Sequence, residues 1–227
     1  MQKTSNTALA SVATQESPDT ERSLVLSYLG LRKGIGIIGI TLPFVLAVGK
    51  ILFESPGLLG SISAYYYSVM RDVLVGGLCA IAVFLISYRY RRLDDLAGDL
   101  AGVSAIGIAL FPGTPDVGVT EHQVLIGRIH LVFTACFFLT LAFFTLVLFR
   151  KTDSTQRPTR QKLQRNRIYL FSGIVMVACL ALMLLDLILP SNPGIQSLDP
   201  GFWLESLAIF AFGIAWFVKG ETILKDG

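Results

Sequence analysis

Six continuous apolar runs constrain the fold of this chain more than any other feature. A helix needs roughly 20 apolar residues to cross the hydrocarbon core of a bilayer, and its backbone groups must then bond within the helix because lipid offers them no partner. Only 15% of the 227 residues are charged, against about 25% in soluble domains. The sequence therefore predicts an all-α, polytopic bundle with transmembrane spans at 34–53, 71–88, 95–112, 129–149, 168–190 and 202–219.

The distribution of Lys and Arg predicts how this bundle is oriented. Sixteen of the 19 basic residues fall before the first span, in the 89–92 and 150–167 loops, or after the last span, and only Lys50, Arg71 and Arg128 fall on the other side. Because cytoplasmic loops carry the excess of Lys and Arg, both termini are predicted to be cytoplasmic. We call the end of the bundle at which both termini lie the inner end, and the opposite end the outer end.

Outside the spans the chain offers little material for a separate domain. Residues 1–23 are polar and lack an apolar centre, which predicts a disordered cytoplasmic tail ahead of a membrane domain over 24–227. The basic residues lie in short loops beside the spans, which favours the lipid bilayer as partner and disfavours nucleic acid. The sequence does not indicate whether the chain is a monomer or an oligomer.

Small residues indicate where helices pack closely. Gly98 and Gly102 form a GxxxG pattern in the third run, and Ala208, Ala211 and Ala215 form a similar stripe in the sixth. Such stripes let helix backbones approach one another in lipid. The third helix is therefore predicted to pack tightly inside the bundle.

Ionisable side chains recur at the outer ends of the predicted helices and suggest a binding site. Charge inside a membrane segment is costly and often functional, and acidic side chains are too short to reach the headgroups as lysine does. We expect an outward-facing polar pocket that binds a lipid headgroup or a small polar solute. Its predicted residues are Asp72, Arg128, His130, Asp186 and Glu205, with Arg71 and Tyr66 at the rim.

The same residues allow a metal site as an alternative. His122, His130, Asp72 and Glu205 would supply four nitrogen and oxygen ligands of the kind that zinc accepts. A metal-bound water would then attack a lipid amide or ester, which makes the alternative function a metal-dependent intramembrane hydrolase. A third reading is a structural or assembly subunit whose charges only pair. The main prediction requires no cofactor, and the sequence alone does not decide whether the chain is an enzyme.

Several longer strings resemble a known family. They are Ser-Ile-Ser-Ala-Tyr-Tyr-Tyr-Ser (61–68), Arg-Asp-Val-Leu-Val-Gly-Gly (71–77), Ala-Ile-Gly-Ile-Ala-Leu-Phe-Pro (105–112), Phe-Trp-Leu-Glu-Ser-Leu-Ala (202–208) and Ala-Phe-Gly-Ile-Ala-Trp-Phe-Val-Lys-Gly-Glu (211–221). Together they resemble a family of bacterial six-helix integral membrane proteins that has no assigned activity. The resemblance implies a multi-pass protein of the bacterial inner membrane.

A more remote resemblance is to the alkaline ceramidases and adiponectin-receptor-like membrane hydrolases. Those proteins have seven helices and a zinc site of three histidines and an aspartate. This chain has six predicted helices and two histidines.

Overall fold

A computed structural model of the chain describes residues 18–115, 117–151, 159–189, 194 and 198–220, with side chains from residue 29 onward. Within these residues there is no β-strand, and the chain forms six long α-helices. Residues 1–17 of the predicted tail lie outside the described part. The helices are α1 (Pro18–Phe53), α2 (Arg71–Ser87), α3 (Arg92–Leu110), α4 (Glu121–Phe143, followed by a π-helical turn over Phe144–Leu148), α5 (Arg160–Ile188) and α6 (Pro200–Lys219).

Four segments are long and apolar enough to cross a membrane: Leu29–Phe53, Glu121–Leu148, Arg160–Ile188 and Pro200–Lys219. They lie in α1, α4, α5 and α6. Large apolar side chains such as Phe44, Leu52 and Leu184 are exposed on the outside of the bundle, where a water-soluble protein rarely has so much contiguous apolar surface. The all-helical fold predicted from the apolar runs is therefore confirmed, with four helices long and apolar enough to span a membrane.

The other two predicted spans correspond to shorter or more polar helices. Helix α2 has 17 residues, and α3 carries Arg92, Asp94, Asp95 and Asp99 in its first half. At 1.5 Å per residue, 17 residues extend only about 26 Å, slightly less than the roughly 30 Å hydrocarbon core. That α2 and α3 also cross the membrane, and that both termini are cytoplasmic, stay predictions.

Three helices begin earlier than the apolar runs indicated. Helix α1 already includes Pro18, the first described residue, which is inside the predicted tail. Helix α4 starts at Glu121 because Thr120 and Gln123 form a capping box, in which each side chain accepts the other's backbone N–H. Helix α5 starts at Arg160, with the Thr159 hydroxyl accepting from the Lys162 N–H at 3.1 Å. The first turns of these helices are polar, so the helices extend beyond the apolar runs from which their spans were predicted.

Close helix contacts occur where glycines face a neighbouring backbone. A Cβ placed on Gly98 or Gly102 would lie 2.6 Å from the Leu85 carbonyl oxygen or 2.9 Å from that of Ala82, so α3 packs directly on the α2 backbone. This agrees with the packing expected of the GxxxG pattern. A second glycine contact, which the sequence reading missed, joins α1 and α6 through Gly39 and Gly213.

An aromatic cluster fills the inner half of the core. Trp216 of α6 is fully buried and makes edge-on contacts with Tyr88, Phe144 and Phe149, with ring centroids 5.1 to 5.4 Å apart. These rings come from the end of α2, the π-helical turn that follows α4, and α6. The cluster therefore joins three separate parts of the chain at the inner end.

Candidate functional site

The connection between α1 and α2 folds over the outer end of the bundle. Lys50, near the end of α1, is buried and its Nζ donates to the Ser55 hydroxyl at 2.9 Å and to the Gly57 carbonyl at 3.3 Å. The Glu54 carboxylate accepts from the Val69 N–H at 2.9 Å. Lys50 and Glu54 therefore hold the two ends of this connection, at Gly57 and Val69. A short 3₁₀-helix, Ser63–Tyr67, lies between these two contact points.

His130 of α4 links this 3₁₀-helix to the end of α3. Its Nδ1 lies 2.7 Å from the Phe111 carbonyl oxygen, and its Nε2 lies 3.1 Å from the Ser63 hydroxyl. Because a carbonyl only accepts, the Phe111 contact assigns the Nδ1 proton, and the Nε2 of a neutral imidazole then accepts from Ser63. The buried ring thus has a partner for each nitrogen.

Glu205 of α6 binds the other side of Ser63. One carboxylate oxygen, Oε2, accepts from the Ser63 backbone N–H at 3.1 Å and lies 3.5 Å from the Ser63 hydroxyl. Ser63 is the first residue of the 3₁₀-helix, so the carboxylate satisfies a backbone donor at the helix start. Ser63 therefore lies between a histidine of α4 and a glutamate of α6, and we call these three residues the Ser63 cluster.

The Ser63 cluster separates two cavities. Below it, toward the middle of the bundle, is a small cavity of about 40 Å³, lined mainly by apolar side chains and also by Ser63, His130, Glu205 and Tyr66. This volume suits a few water molecules. Above it is a polar pocket of about 230 Å³, whose lining includes Ser61, Ser63, Tyr67 and Thr114. Ser63 lines both, so a group bound in the outer pocket would contact the same residue that joins His130 to Glu205.

Tyr67 forms part of the wall of the outer pocket. Its hydroxyl donates to the Gly113 carbonyl at 2.8 Å, which joins the 3₁₀-helix to the segment between α3 and α4. Burial raises the pKa of Tyr67, and the neighbouring Tyr66 raises it further. The phenol is therefore neutral at physiological pH and holds the two segments together as a hydrogen-bond donor.

The structure brings only some of the predicted pocket residues together. His130 and Glu205 meet through Ser63, and Tyr66 lines the same cavity of about 40 Å³. Arg71 lies on the exposed side of Tyr66, with its Nη2 donating to the Tyr66 hydroxyl at 2.8 Å and its guanidinium 4.5 Å from the ring centroid. The predicted rim pair is thus in contact.

Asp72, Arg128 and Asp186 lie elsewhere. All three side chains are exposed and line neither cavity. For Arg128 the reason is the early start of α4, because Arg128 and His130 fall in its third turn and two residues along a helix point to different sides. Asp72 is in the first turn of α2 and Asp186 is near the end of α5, and the residues next to each of them in the chain are exposed as well.

The residues of the zinc alternative are also dispersed. His122 is exposed in the first turn of α4, and Asp72 is exposed on α2, away from His130 and Glu205. Over the described ranges, no group of three or more His, Cys, Asp or Glu side chains is close enough to hold a metal ion. Zinc binding stays a prediction from the sequence.

Ser63 is the candidate site residue that the sequence reading missed. The local sequence near Ser63 does contain one turn signal, a serine three residues before Ala64. The Ser61 hydroxyl accepts from the Ala64 N–H at 3.0 Å and starts the 3₁₀-helix. That spacing predicts a turn and does not reveal the partners of Ser63, which are 67 and 142 positions away along the chain.

Comparison of the chain with protein-family models, with curated proteins and with solved structures finds no match. The candidate function therefore rests on the geometry of the outer end alone.

Proposed function

We propose that this chain is a multi-pass protein of the bacterial inner membrane that binds a small polar solute or a lipid headgroup at the outer end of its bundle. The observation that carries the proposal is the position of Ser63. It lies on the wall of a polar pocket of about 230 Å³ and contacts both His130 and Glu205. The site differs from the pocket expected from the sequence because Asp72, Arg128 and Asp186 are not part of it.

The chemistry of the pocket favours a hydroxyl-bearing or cationic group. Its walls offer hydroxyl groups from Ser61, Ser63 and Thr114. The Glu205 carboxylate lies directly behind Ser63. A carboxylate in a partly desolvated position attracts a cation or a strong hydrogen-bond donor, as the ammonium group of an ethanolamine headgroup would provide.

The same geometry favours binding over acyl transfer. Ser63 contacts the Nε2 of His130, as a nucleophilic serine would contact its base. However, the Ser63 backbone N–H already donates to Glu205, and the carboxylate oxygen is 3.5 Å from the serine hydroxyl. The Ser63 N–H is therefore occupied and does not stabilise the oxyanion that develops on the substrate in such catalysis.

Thermal unfolding of the detergent-purified protein tests the proposal with phosphoethanolamine as a headgroup probe and ethanolamine as a small-solute probe. A ligand present at ten times its Kd stabilises the native state by about 1.4 kcal/mol, which is measurable as a rise in the unfolding temperature. Wild type is expected to show this rise, and Ser63→Ala and Glu205→Gln are expected to lose it. The matched controls Ser87→Ala and Asp186→Asn, both at exposed positions, should retain it.

Three results would count against the proposal. One is the absence of a shift with either probe in wild type, and another is an unchanged shift in Ser63→Ala. The third is stoichiometric zinc in the purified protein that disappears in His130→Ala, because this would favour the metal-dependent hydrolase. If Glu205→Gln does not fold, Ser63→Ala still decides, since it keeps the Ser63 backbone N–H that Glu205 binds.

A further inference from the structure

An apolar groove of about 320 Å³ runs along the outside of the bundle between α1 and α6. It is formed by the outer half of both helices and by Leu58 of the connection between α1 and α2. Its lining includes Phe44, Ala47, Val48, Trp203, Leu207 and Phe210. The groove shares no lining residue with the outer pocket or the Ser63 cluster, so an occupant of the groove does not depend on the proposed function.

The position of the groove matches the hydrocarbon part of one leaflet. Both helices that form it contain segments long and apolar enough to cross a membrane, Leu29–Phe53 and Pro200–Lys219. Along α6 the lining extends from Phe202 to Phe210, a rise of about 12 Å at 1.5 Å per residue. One leaflet contributes about 15 Å, half of the roughly 30 Å hydrocarbon core. The groove is therefore nearly as long as the leaflet around the outer end is deep.

The shape of the groove follows from the way α1 and α6 pack. The helices touch through Gly39 and Gly213, since a Cβ on Gly39 would lie 2.9 Å from the Gly213 Cα. Helices that cross at a close contact separate on either side of it. Toward the outer end the space between them is bordered by Phe44 and Phe210, whose rings meet edge-on with centroids 6.1 Å apart. The result is a concave strip with aromatic side chains in its walls.

The walls of the groove are apolar and open to the outside of the bundle. Four lining side chains are 49% to 60% exposed: Phe44, Val48, Trp203 and Leu207. Ser206 is the one lining residue with a hydroxyl group, and its oxygen is buried without a hydrogen-bond partner within the described residues. The groove therefore presents an almost purely apolar surface below Trp203.

This surface suits a hydrocarbon chain better than any other occupant. Water needs polar partners that the groove does not offer, and an unfilled groove forfeits the dispersion energy of the atoms that line it. A single chain is narrow enough to lie between two adjacent helices and to contact both along its length. A helix of a second copy is about 10–12 Å wide with its side chains, so it can only lie across the rim.

We propose that the groove between α1 and α6 binds one acyl chain of a phospholipid from the leaflet around the outer end. The lipid enters beside Trp203, and tryptophan is enriched where membrane and water meet because its ring is apolar and its N–H is polar. The chain then follows the groove toward Phe44 and Phe210. Because lipid tails are as apolar as the groove, the bound chain is selected by its fit and its dispersion contacts.

Photochemical labelling tests which surface the chain contacts. The probe is phosphatidylethanolamine with a diazirine in the middle of one acyl chain, in nanodiscs that hold the full-length protein. After irradiation, peptide mass spectrometry should find Ala47 and Leu207 labelled at least about fivefold more than Leu182 and Leu187, which are exposed on α5 outside the groove. Equal labelling of the two surfaces would show that lipid only surrounds the bundle, and it would overturn the proposal.

Filling the groove tests whether its shape retains the lipid. Ala47→Phe puts a ring into the groove, and Ala181→Phe makes the same substitution at an exposed position of α5. Native mass spectrometry in mild detergent should show one retained phospholipid on wild type and on Ala181→Phe, and at least about tenfold less on Ala47→Phe. Equal retention by the two variants would overturn the proposal. If Ala47→Phe does not fold, Val48→Phe and its control Val132→Phe decide, because both valines are more than half exposed.

Ser206→Ala tests the chemistry of the occupant. It removes the one hydroxyl group of the groove lining with little change in shape, so the retained phospholipid should change less than about twofold. A clear loss in the folded variant would show that a polar group of the ligand is recognised, which contradicts an acyl chain. A dimer of wild type that disappears in Ala47→Phe would show that a second copy covers the groove, and it would also overturn the proposal.

Discussion

The contact between α1 and α6 gives the sharpest test of the packing. Gly213 faces α1, and a Cβ at this position would lie 2.6 Å from the Ile40 nitrogen, 2.8 Å from the Gly39 carbonyl carbon and 2.9 Å from the Gly36 carbonyl oxygen. All three atoms belong to the backbone of α1. No side chain can therefore rotate away to make room, and Gly213→Ala forces the two helices apart.

The size of the effect follows from these distances. Ordinary Cβ contacts begin at 3.4 Å, so the helices must separate locally by about 0.8 Å, the difference between 3.4 and 2.6 Å. A gap of 0.5–1 Å forfeits roughly a quarter to a half of the dispersion energy of the contacts that it opens. Extra volume in a packed interior costs about 1–3 kcal/mol, while alanine regains up to about 1 kcal/mol of helix propensity. We expect a net loss of about 1–2 kcal/mol.

The assay is reversible unfolding in mixed micelles with increasing sodium dodecyl sulfate, followed by circular dichroism. Gly76→Ala in α2 is the matched control, because a Cβ there has no atom within 4 Å. It should unfold at the wild-type midpoint or slightly later, and Gly213→Ala clearly earlier. If the two variants unfold at the same midpoint, the close approach of α1 and α6 is wrong.

Two further predictions concern the aromatic cluster and the topology. Trp216→Ala should destabilise the protein by about 3–5 kcal/mol because it empties a fully buried site. Trp216→Phe should cost much less, since the indole N–H has no hydrogen-bond partner within the described residues. Equal losses of stability for the two variants in the same unfolding assay would contradict this prediction. Periplasmic and cytoplasmic reporter fusions at positions 58, 92, 116, 158 and 195 should report out, in, out, in and out, and a shared location for 58, 92 and 116 would show that α2 and α3 do not cross the membrane.

The interior of each helix was readable from the sequence, and the helix ends were less so. Long apolar runs specify helices because lipid leaves the backbone no other partners. The start of α4 was missed because its first turns are polar, although Thr120 and Gln123 carry a capping-box pattern. Placing that start correctly moves His130 from the beginning of the helix to its third turn, where it reaches both Phe111 and Ser63.

By itself the sequence determined an all-helical membrane protein, the cores of its apolar helices and the small-residue face of α3. Only the tertiary structure decided which outer charges meet. Glu205 and Asp72 look alike in the sequence, yet one binds Ser63 and the other is exposed. The physical reason is that the sequence of a helix that is apolar on most sides has no strong periodic pattern. It therefore does not indicate which face of the helix turns toward the bundle interior. The rotation is set by contacts such as Gly213 against Gly39, between residues far apart in the chain.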